Sequence, residues 1–307
     1  MQERADKSGK VTVVIATRNR RDDLLHTLMK LRELASDCPV IVVDNGSRDG
    51  GPAAVRARFP EVTLIELADN RGAAARNLGA REASTPYVAF ADDDSWWAPG
   101  ALARAARHLD AHPRLALVAA RIVVGREGRV DPTCEAMSQS PLPIDGPLPG
   151  PAVLGFVACG AVVRRRAFLD AGGFSERLLI IGEEELVALD LAAAGWSLAY
   201  ADDVVAHHHP SPSRDRRRWL RLRVRNGLWT TWLRRRGAGV LSGTARVVAQ
   251  AALEGGAIDG VLDALRGLPW VLRERRPLPP DIERDRRLLE APRSFKVFAT
   301  WKRRAHG

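Results

Sequence analysis

The sequence predicts an α/β fold, a mostly parallel sheet with helices on both faces, followed by a basic helical extension. Three observations carry this. Short apolar runs rich in β-formers alternate with stretches of helical periodicity. The runs end on polar residues such as Thr17, Asp44 and Asp92-Asp93-Asp94, which is where ligands bind in open parallel sheets. Beyond Pro212 the composition turns to arginine and tryptophan.

Each element follows from its residues. Val11 to Ala16 is an apolar strand, then Thr17-Arg18-Asn19 a loop, then Leu24, Leu28 and Leu31 recur at helical spacing. Val40 to Val43 is a second strand entering Asp44-Asn45-Gly46-Ser47, and Val62 to Leu67 a third. A helical stretch from Ala73 to Ala83 precedes a fourth strand, Tyr87 to Phe90, and a further helix starts at Pro99. From Gly125 to Pro151 a Pro- and Gly-rich stretch reads as a long functional loop. Regularity returns with Phe156 to Val163, a helix near Arg164, an acidic helix from Glu183 to Ala194, and two short strands at Ser197 to Tyr200 and Val204 to Ala206. This organisation divides the chain into a sheet-bearing domain over 1–212, with halves near 10–95 and 96–212, and an extension over 213–307.

Composition sets outer bounds. With 307 residues, 46% hydrophobic and 27% charged, the chain is an ordinary globular protein large enough for a substantial core. A formal charge of +10 favours anionic partners. Cys38, Cys134 and Cys159 are odd in number and show no ligand spacing, so they read as reduced packing residues. The first ten residues lack the apolar core of a signal peptide, and no uncharged run reaches the roughly 18 residues of a membrane span. These features predict a cytoplasmic location, with peripheral contact on the inner membrane face left open.

Three stretches carry chemistry. Asp92-Asp93-Asp94 follows an apolar strand, and adjacent acids repel unless a hard divalent cation neutralises them and bridges to a diphosphate. A solvated turn capping the next helix is the plainer reading. Val43 to Gly50, with Asp44 at a strand's carboxyl end, reads either as an Asn-Gly turn or as a carboxylate placed to accept from a base or ribose. In Asn70 to Gly79 a loop opens a small-residue helix, where Gly72 permits close backbone approach and Arg76 can reach a base or phosphate.

Taken in order, Ala16-Thr17-Arg18-Asn19-Arg20, Val43 to Gly50, Asn70 to Gly79 and Asp92 to Asp94 resemble the motifs of the family-2 glycosyltransferases, across about residues 10–210. The resemblance implies the GT-A type of Rossmann-like sheet, a nucleoside-diphosphate-sugar donor and a divalent metal, Mn2+ or Mg2+. It implies that Thr17, Asp44 and Arg76 hold the nucleoside, that Asp92 serves the ribose and Asp94 the metal, with Asp92 close to the ion as well. It also brings Arg18, Asn19, Asn45, Gly72, Asn77 and Asp93 beside the nucleotide.

Gly172-Gly173-Phe174 followed by Glu183-Glu184-Glu185 resembles the family's Gly-Gly-Phe and its later acidic pair, whose second acid maps onto Glu184 as catalytic base, with Glu185 in reserve. An acceptor hydroxyl needs such a base because it attacks poorly until its proton is removed. Where the family carries a further Asp and then Arg, this chain has Leu186 and Asp190. Val205 to Pro210 places His207 at the family's step for a metal or diphosphate contact. The expected reaction is a single inverting displacement onto a sugar- or hydroxyl-bearing acceptor, such as a glycan, lipid-linked or secondary-metabolite acceptor.

Arg214 to Arg236, with Trp219, Trp229 and Trp232, reads either as an amphipathic helix on an anionic membrane or as a basic helix packing its tryptophans on the sheet domain. Arg216-Arg217-Arg218-Trp219 resembles a processive-synthase signature, but Asp215 stands where that signature has glutamine, so one transfer per binding event is expected. A nucleic-acid binder would explain the charge; against it, acids cluster at the sheet edge where a polyanion would sit. A nucleotidyltransferase would also use paired carboxylates, yet Ala16-Thr17-Arg18-Asn19 is not a Gly-rich phosphate loop.

Overall fold

A computed structural model describes residues 9–144, 146–210, 215–254 and 258–290. Expectations placed on the first eight residues, on Pro212 and on Arg214 lie outside the described residues.

The first half follows the expected order, with one helix, α2, added between the second and third strands: β1 (Val11–Thr17), α1 (Arg21–Leu34), β2 (Val40–Asp44), α2 (Gly51–Arg58), β3 (Thr63–Glu66), α3 (Ala75–Glu82) and β4 (Tyr87–Ala91). The strands pair in parallel in the order β3-β2-β1-β4. Side chains alternate across a strand, so Val11, Val13 and Ile15 enter the core layer with α1 while Val14 enters the layer with α3.

The second half adds β5 (Ser95–Trp97), α4 (Ala101–Ala111), β6 (Leu115–Val124), β7 (Arg129–Val130), α5 (Pro132–Ser138), β8 (Ala161–Arg164), α6 (Arg165–Asp170), α7 (Glu183–Ala193) and β9 (Ser197–His208). One sheet of nine strands results, with β8, β6, β9 and β5 continuing beyond β4. Here the parallel pattern ends: β4–β8, β6–β8 and β5–β9 are antiparallel, and β6–β9 is parallel. The mixture follows from the connections, since β8 arrives from the long segment after β6 rather than from a simple helical crossover.

Two expectations change. The long loop at 125–151 contains the hairpin strand β7 and the helix α5, whose first turn is capped by Asp131 accepting from Thr133 N at 2.7 Å. The two strands expected at 197–206 are one strand, with a bulge that turns exposed Asp202 and Asp203 out between Ala201 and Val205.

The extension forms α8 (Arg216–Arg234), α9 (Ala238–Leu253), α10 (Ile258–Arg266), α11 (Leu268–Glu274) and α12 (Pro280–Glu290). Trp229 is buried, meets Trp270 edge to face at 5.1 Å and donates through Nε1 to Ala264 O at 3.0 Å. Trp232 donates to Thr244 Oγ1 at 3.0 Å. Of the two readings of this segment, packing is the one the helices adopt, although the tryptophans pack mainly on their own helical layer. Leu178 and Leu186 of the sheet-bearing part share one core cluster with Leu220, Val224, Leu228 and Trp229. The extension is therefore fused to the sheet by apolar burial.

Candidate active site

The parallel register of β1 on β2 pairs Thr17 with Asp44, so both residues leave the sheet at one edge. Asp44 is buried and accepts from Ser47 N at 2.8 Å. Asn19, in a left-handed conformation at φ 52°, donates its backbone N–H to Ser47 Oγ and accepts from Arg48 N, both at 2.8 Å. Asn45 accepts from Arg71 N at 3.0 Å and donates to Gly72 O at 3.2 Å. Asn77 brackets Phe174, donating to its carbonyl at 2.8 Å and accepting from its N–H at 2.9 Å. The three asparagines fasten loops to one another. Arg18 is exposed and lies at the rim.

The acidic triplet divides its work. Asp92 pairs with the buried guanidinium of Arg76, which stands 5.9 Å from the Phe174 ring centre. Asp93 turns inward, accepting from Thr17 Oγ1 at 2.8 Å and pairing with Arg20 Nε at 3.0 Å. Burial pushes its carboxyl up to about 7, against the opposing pull of Arg20 and Thr17. Asp94 meets the other arm of Arg20 at 2.8 Å and His208 Nε2 at 3.4 Å. Arg20, absent from the sequence-level set, thus neutralises two of three adjacent acids. Its position in the first motif was a usable signal.

His207 does not join this group. The antiparallel register of β5 on β9 sets His208 opposite Ser95 and His207 opposite Trp96, and strand alternation turns the two histidines to opposite faces. His207 and His209 both stack on Trp96, at 5.9 and 4.6 Å. His208 is the imidazole beside the acids. Its side-chain nitrogen, one Asp92 oxygen and the sulfur of Cys159 lie within 4.8 Å of one another. The cysteine expected to be simple packing is buried at the site, which spacing in sequence does not reveal. With Asp94, these supply oxygen, nitrogen and sulfur donors, a set that fits a divalent ion of borderline hardness.

The three glutamates open α7 after Gly182, which takes the left-handed conformation at φ 86°. Burial holds Glu184 above the usual carboxylate range, opposed by the charge of Arg76 and reinforced by that of Asp92. Glu183, also missed at the sequence level, is raised well above that range by burial and by Glu184, and its Oε2 has no hydrogen-bond partner among the described residues. Arg76 Nε is likewise buried without a partner. Glu185 instead forms an ion pair with Arg286 of α12, which takes it out of the acidic cluster. Asp190 pairs with Arg234 of α8 at 2.9 Å, so the departure from the family pattern serves to dock the extension.

The turn before α7 is strained, with Leu179 and Ile181 at φ 65° and 74°. Asn226 of α8 holds it: its side-chain amide lies 2.9, 2.9 and 2.7 Å from the carbonyls of Leu178, Ile180 and Ile181. Leu179 O in turn accepts from Ala73 N at 2.7 Å. The extension, the acidic helix and the Gly72 loop are thereby linked. Asp44 thus leaves the sheet beside Thr17, which bonds Asp93, while Glu184 feels the charges of Arg76 and Asp92.

A sequence model described as "Glycosyl transferase family 2" matches residues 12–172. Among curated proteins, the pre-mycofactocin glycosyltransferase of Mycobacterium tuberculosis is 34% identical over 213 residues, 67% of this chain and 44% of that protein. The chain therefore spans less than half the length of that relative. The N-acetylglucosaminyl-diphospho-decaprenol L-rhamnosyltransferase of the same organism is 28% identical over 60% of this chain and 71% of that one. Among solved structures, a mannosyltransferase from Pyrobaculum calidifontis in complex with GDP-Man and Mn2+ superposes with a TM-score of 0.55 at 23% identity, covering 86% of this chain and 83% of that one. S. aureus TarS 1–349 in complex with UDP gives 0.53 at 20% identity, covering 71% and 65%. At these identities the two structures share the fold.

Proposed function

The chain belongs to glycosyl transferase family 2, and on that premise we propose that it is an inverting glycosyltransferase acting on a nucleoside-diphosphate-sugar. The observation that carries this reading is the convergence of Asp44, Arg76, Asp92, Asp94, His208 and Glu184 at one edge of the sheet. Two orphaned buried atoms, Arg76 Nε and Glu183 Oε2, support a polar ligand there, since such atoms are rarely left without partners.

In this reading Asp44 accepts from the nucleoside, and Arg76, held rigid by Asp92 and Phe174, fixes its orientation. Asp94 and His208 would hold a divalent ion, with Asp92 and Cys159 at its border; when bound, it supplies charge stabilisation to the departing diphosphate. Glu184 takes the proton of the acceptor hydroxyl as its oxygen bonds to the anomeric carbon and the bond to the diphosphate oxygen breaks. Burial suits Glu184 to this, because a carboxylate held above its usual range is a stronger base. The acceptor is lipid-linked in this proposal, in keeping with the decaprenol-bearing substrate in the name of one relative.

Thermal melts with UDP, GDP and dTDP, each with Mn2+ or Mg2+, test the reading. A ligand at about 100 times its Kd stabilises the native state by about 2.7 kcal/mol, so one nucleotide and metal pair raises Tm by several degrees. If no nucleoside diphosphate shifts Tm with either metal, the reading fails.

A further inference from the structure

We propose that the outer face of α9, α10 and α11 is a docking surface for an anionic lipid membrane. The helices are patterned inside out. α10 lies on α8 through Gly260, Ala264 and Gly267, all buried. A Cβ at Gly260 would stand 2.6 Å from Arg221 O, and one at Gly267 would stand 2.5 Å from Trp229 Nε1. α9 contributes buried Gly239, Gly243 and Ala251, and a Cβ at Gly243 would stand 2.8 Å from Thr231 Cγ2. Small residues face inward on both helices.

Large apolar residues face outward. Leu241, Leu253, Ile258 and Leu272 are 76%, 89%, 76% and 66% exposed, and Val248, Leu262 and Leu265 are exposed as well. Ile258, Leu262 and Leu265 recur at helical spacing along one stripe of α10. The exposed positions of α9 from 241 to 253 are Leu, Ser, Ala, Val, Ala, Ala and Leu, without a charge. The charged residue of α9, Arg246, pairs with Glu290 of α12. A helix facing water puts its apolar stripe against the core and its charges outside. Small residues between helices and large apolar ones outside are the arrangement suited to an apolar surrounding.

Charge selects the occupant. Within 215–276 eight arginines are exposed, Arg216, Arg218, Arg273 and Arg276 among them, against three exposed acids, Asp215, Asp259 and Glu274. Lipid phosphates complement such a surface. A second copy of this chain would set the same arginines against one another. Among the described residues no helix is long and apolar enough to cross a membrane, so the contact lies in the plane of the interface. The membrane contact that the sequence placed on residues 214–236 thus moves outward from α8, whose tryptophans are packed, to the helices that cover it. The inference does not rest on the sugar-transfer reading, because none of these residues belongs to the acidic cluster.

The test is co-sedimentation of the full chain with vesicles of phosphatidylcholine alone or mixed equally with phosphatidylglycerol. The wild type is expected to pellet with the anionic vesicles, to do so less as salt rises, and to stay in the supernatant with the neutral ones. Leu241→Glu combined with Ile258→Glu, and separately Leu253→Glu, should cut the bound fraction at least ten-fold while leaving Tm and nucleoside-diphosphate binding unchanged. The proposal is overturned if the wild type fails to pellet with anionic vesicles, if neutral vesicles bind equally, if both variants pellet as the wild type does, or if the substitutions abolish self-association instead.

Discussion

Thr17, the last residue of β1, donates its hydroxyl proton to the buried carboxylate of Asp93 at 2.8 Å, tying the end of β1 to the acidic triplet that follows the neighbouring strand β4. Burial nevertheless raises that carboxyl to about 7 from an ordinary value of 3.8. A raised folded-state value means that the group's contribution to stability is whole below about pH 4 and is lost as pH climbs through 7. Asp93→Asn keeps an acceptor for Thr17 without the ionisation. Between pH 4 and 7.5 the Tm of the wild type should therefore fall relative to the variant, by roughly 5 °C; a gap that moves the other way would refute the assignment.

Glu184 and Glu185 are neighbours with different surroundings, the first under the influence of Arg76 and Asp92 and the second paired with Arg286. Glu184→Gln should lower kcat for sugar transfer by about 10²–10⁴-fold with an unchanged melt, as removal of a general base does. Glu185→Gln breaks a half-exposed pair with Arg286 and should leave kcat within about three-fold while costing less than about 1 kcal/mol of stability. Kinetics of the two variants on one donor and acceptor decide the matter, and equal losses would undo the distinction.

His208, rather than His207, stands beside Asp94. His208→Ala should weaken Mn2+ binding at least about ten-fold, as loss of a ligand does, whereas His207→Ala should leave it unchanged and disturb only the stack on Trp96. Titration of Mn2+ followed by electron paramagnetic resonance reads this directly. Cys159→Ser provides a further arm, with reduced affinity expected for Co2+ and loss of any sulfur-to-metal absorption.

Gly72 has φ 58°, and a Cβ there would lie 2.1 Å from Leu179 O, the acceptor for Ala73 N. Gly72→Ala must displace backbone rather than a flexible side chain. We expect a loss of roughly 2 kcal/mol or more, from the positive φ together with the broken hydrogen bond. Urea denaturation measures it, and a variant as stable as the wild type would contradict the close approach.

Asn226 sits on α8, yet its amide meets the carbonyls of Leu178, Ile180 and Ile181 that lead into α7. Asn226→Leu should cost about 1–3 kcal/mol from unsatisfied carbonyls and lower kcat by misplacing Glu184, with little change in nucleotide affinity. A drop in stability with kcat intact would make Asn226 a structural residue alone.

The alternation of apolar runs with helical periodicity was enough to place β1, β2, β3 and β4 with α1 and α3, because each element's pattern is local; the short α2 carries too few apolar positions to show a period. The ordered motifs carried the family and brought Asp44, Arg76 and the triplet to one edge. Residues distant in sequence escaped that reading. Arg20 and Glu183 matter through partners 73 or more positions away, Arg20 with Asp93 and Asp94 and Glu183 with Arg76 and Asp92.

The remaining decisions belong to three dimensions. Whether His207 or His208 faces the acids depends on the register of β9 against β5, since a step of one residue exchanges the faces of a strand. Cys159 enters the site because a short turn before β8 brings it under His208. The sequence by itself determined the fold class, the parallel strands of the first half and the residue types at the strand ends, since these follow from local periodicity and composition. Only the tertiary structure decided which side chains meet and which face of the extension is left uncovered, because pairing register and packing depend on the whole chain at once.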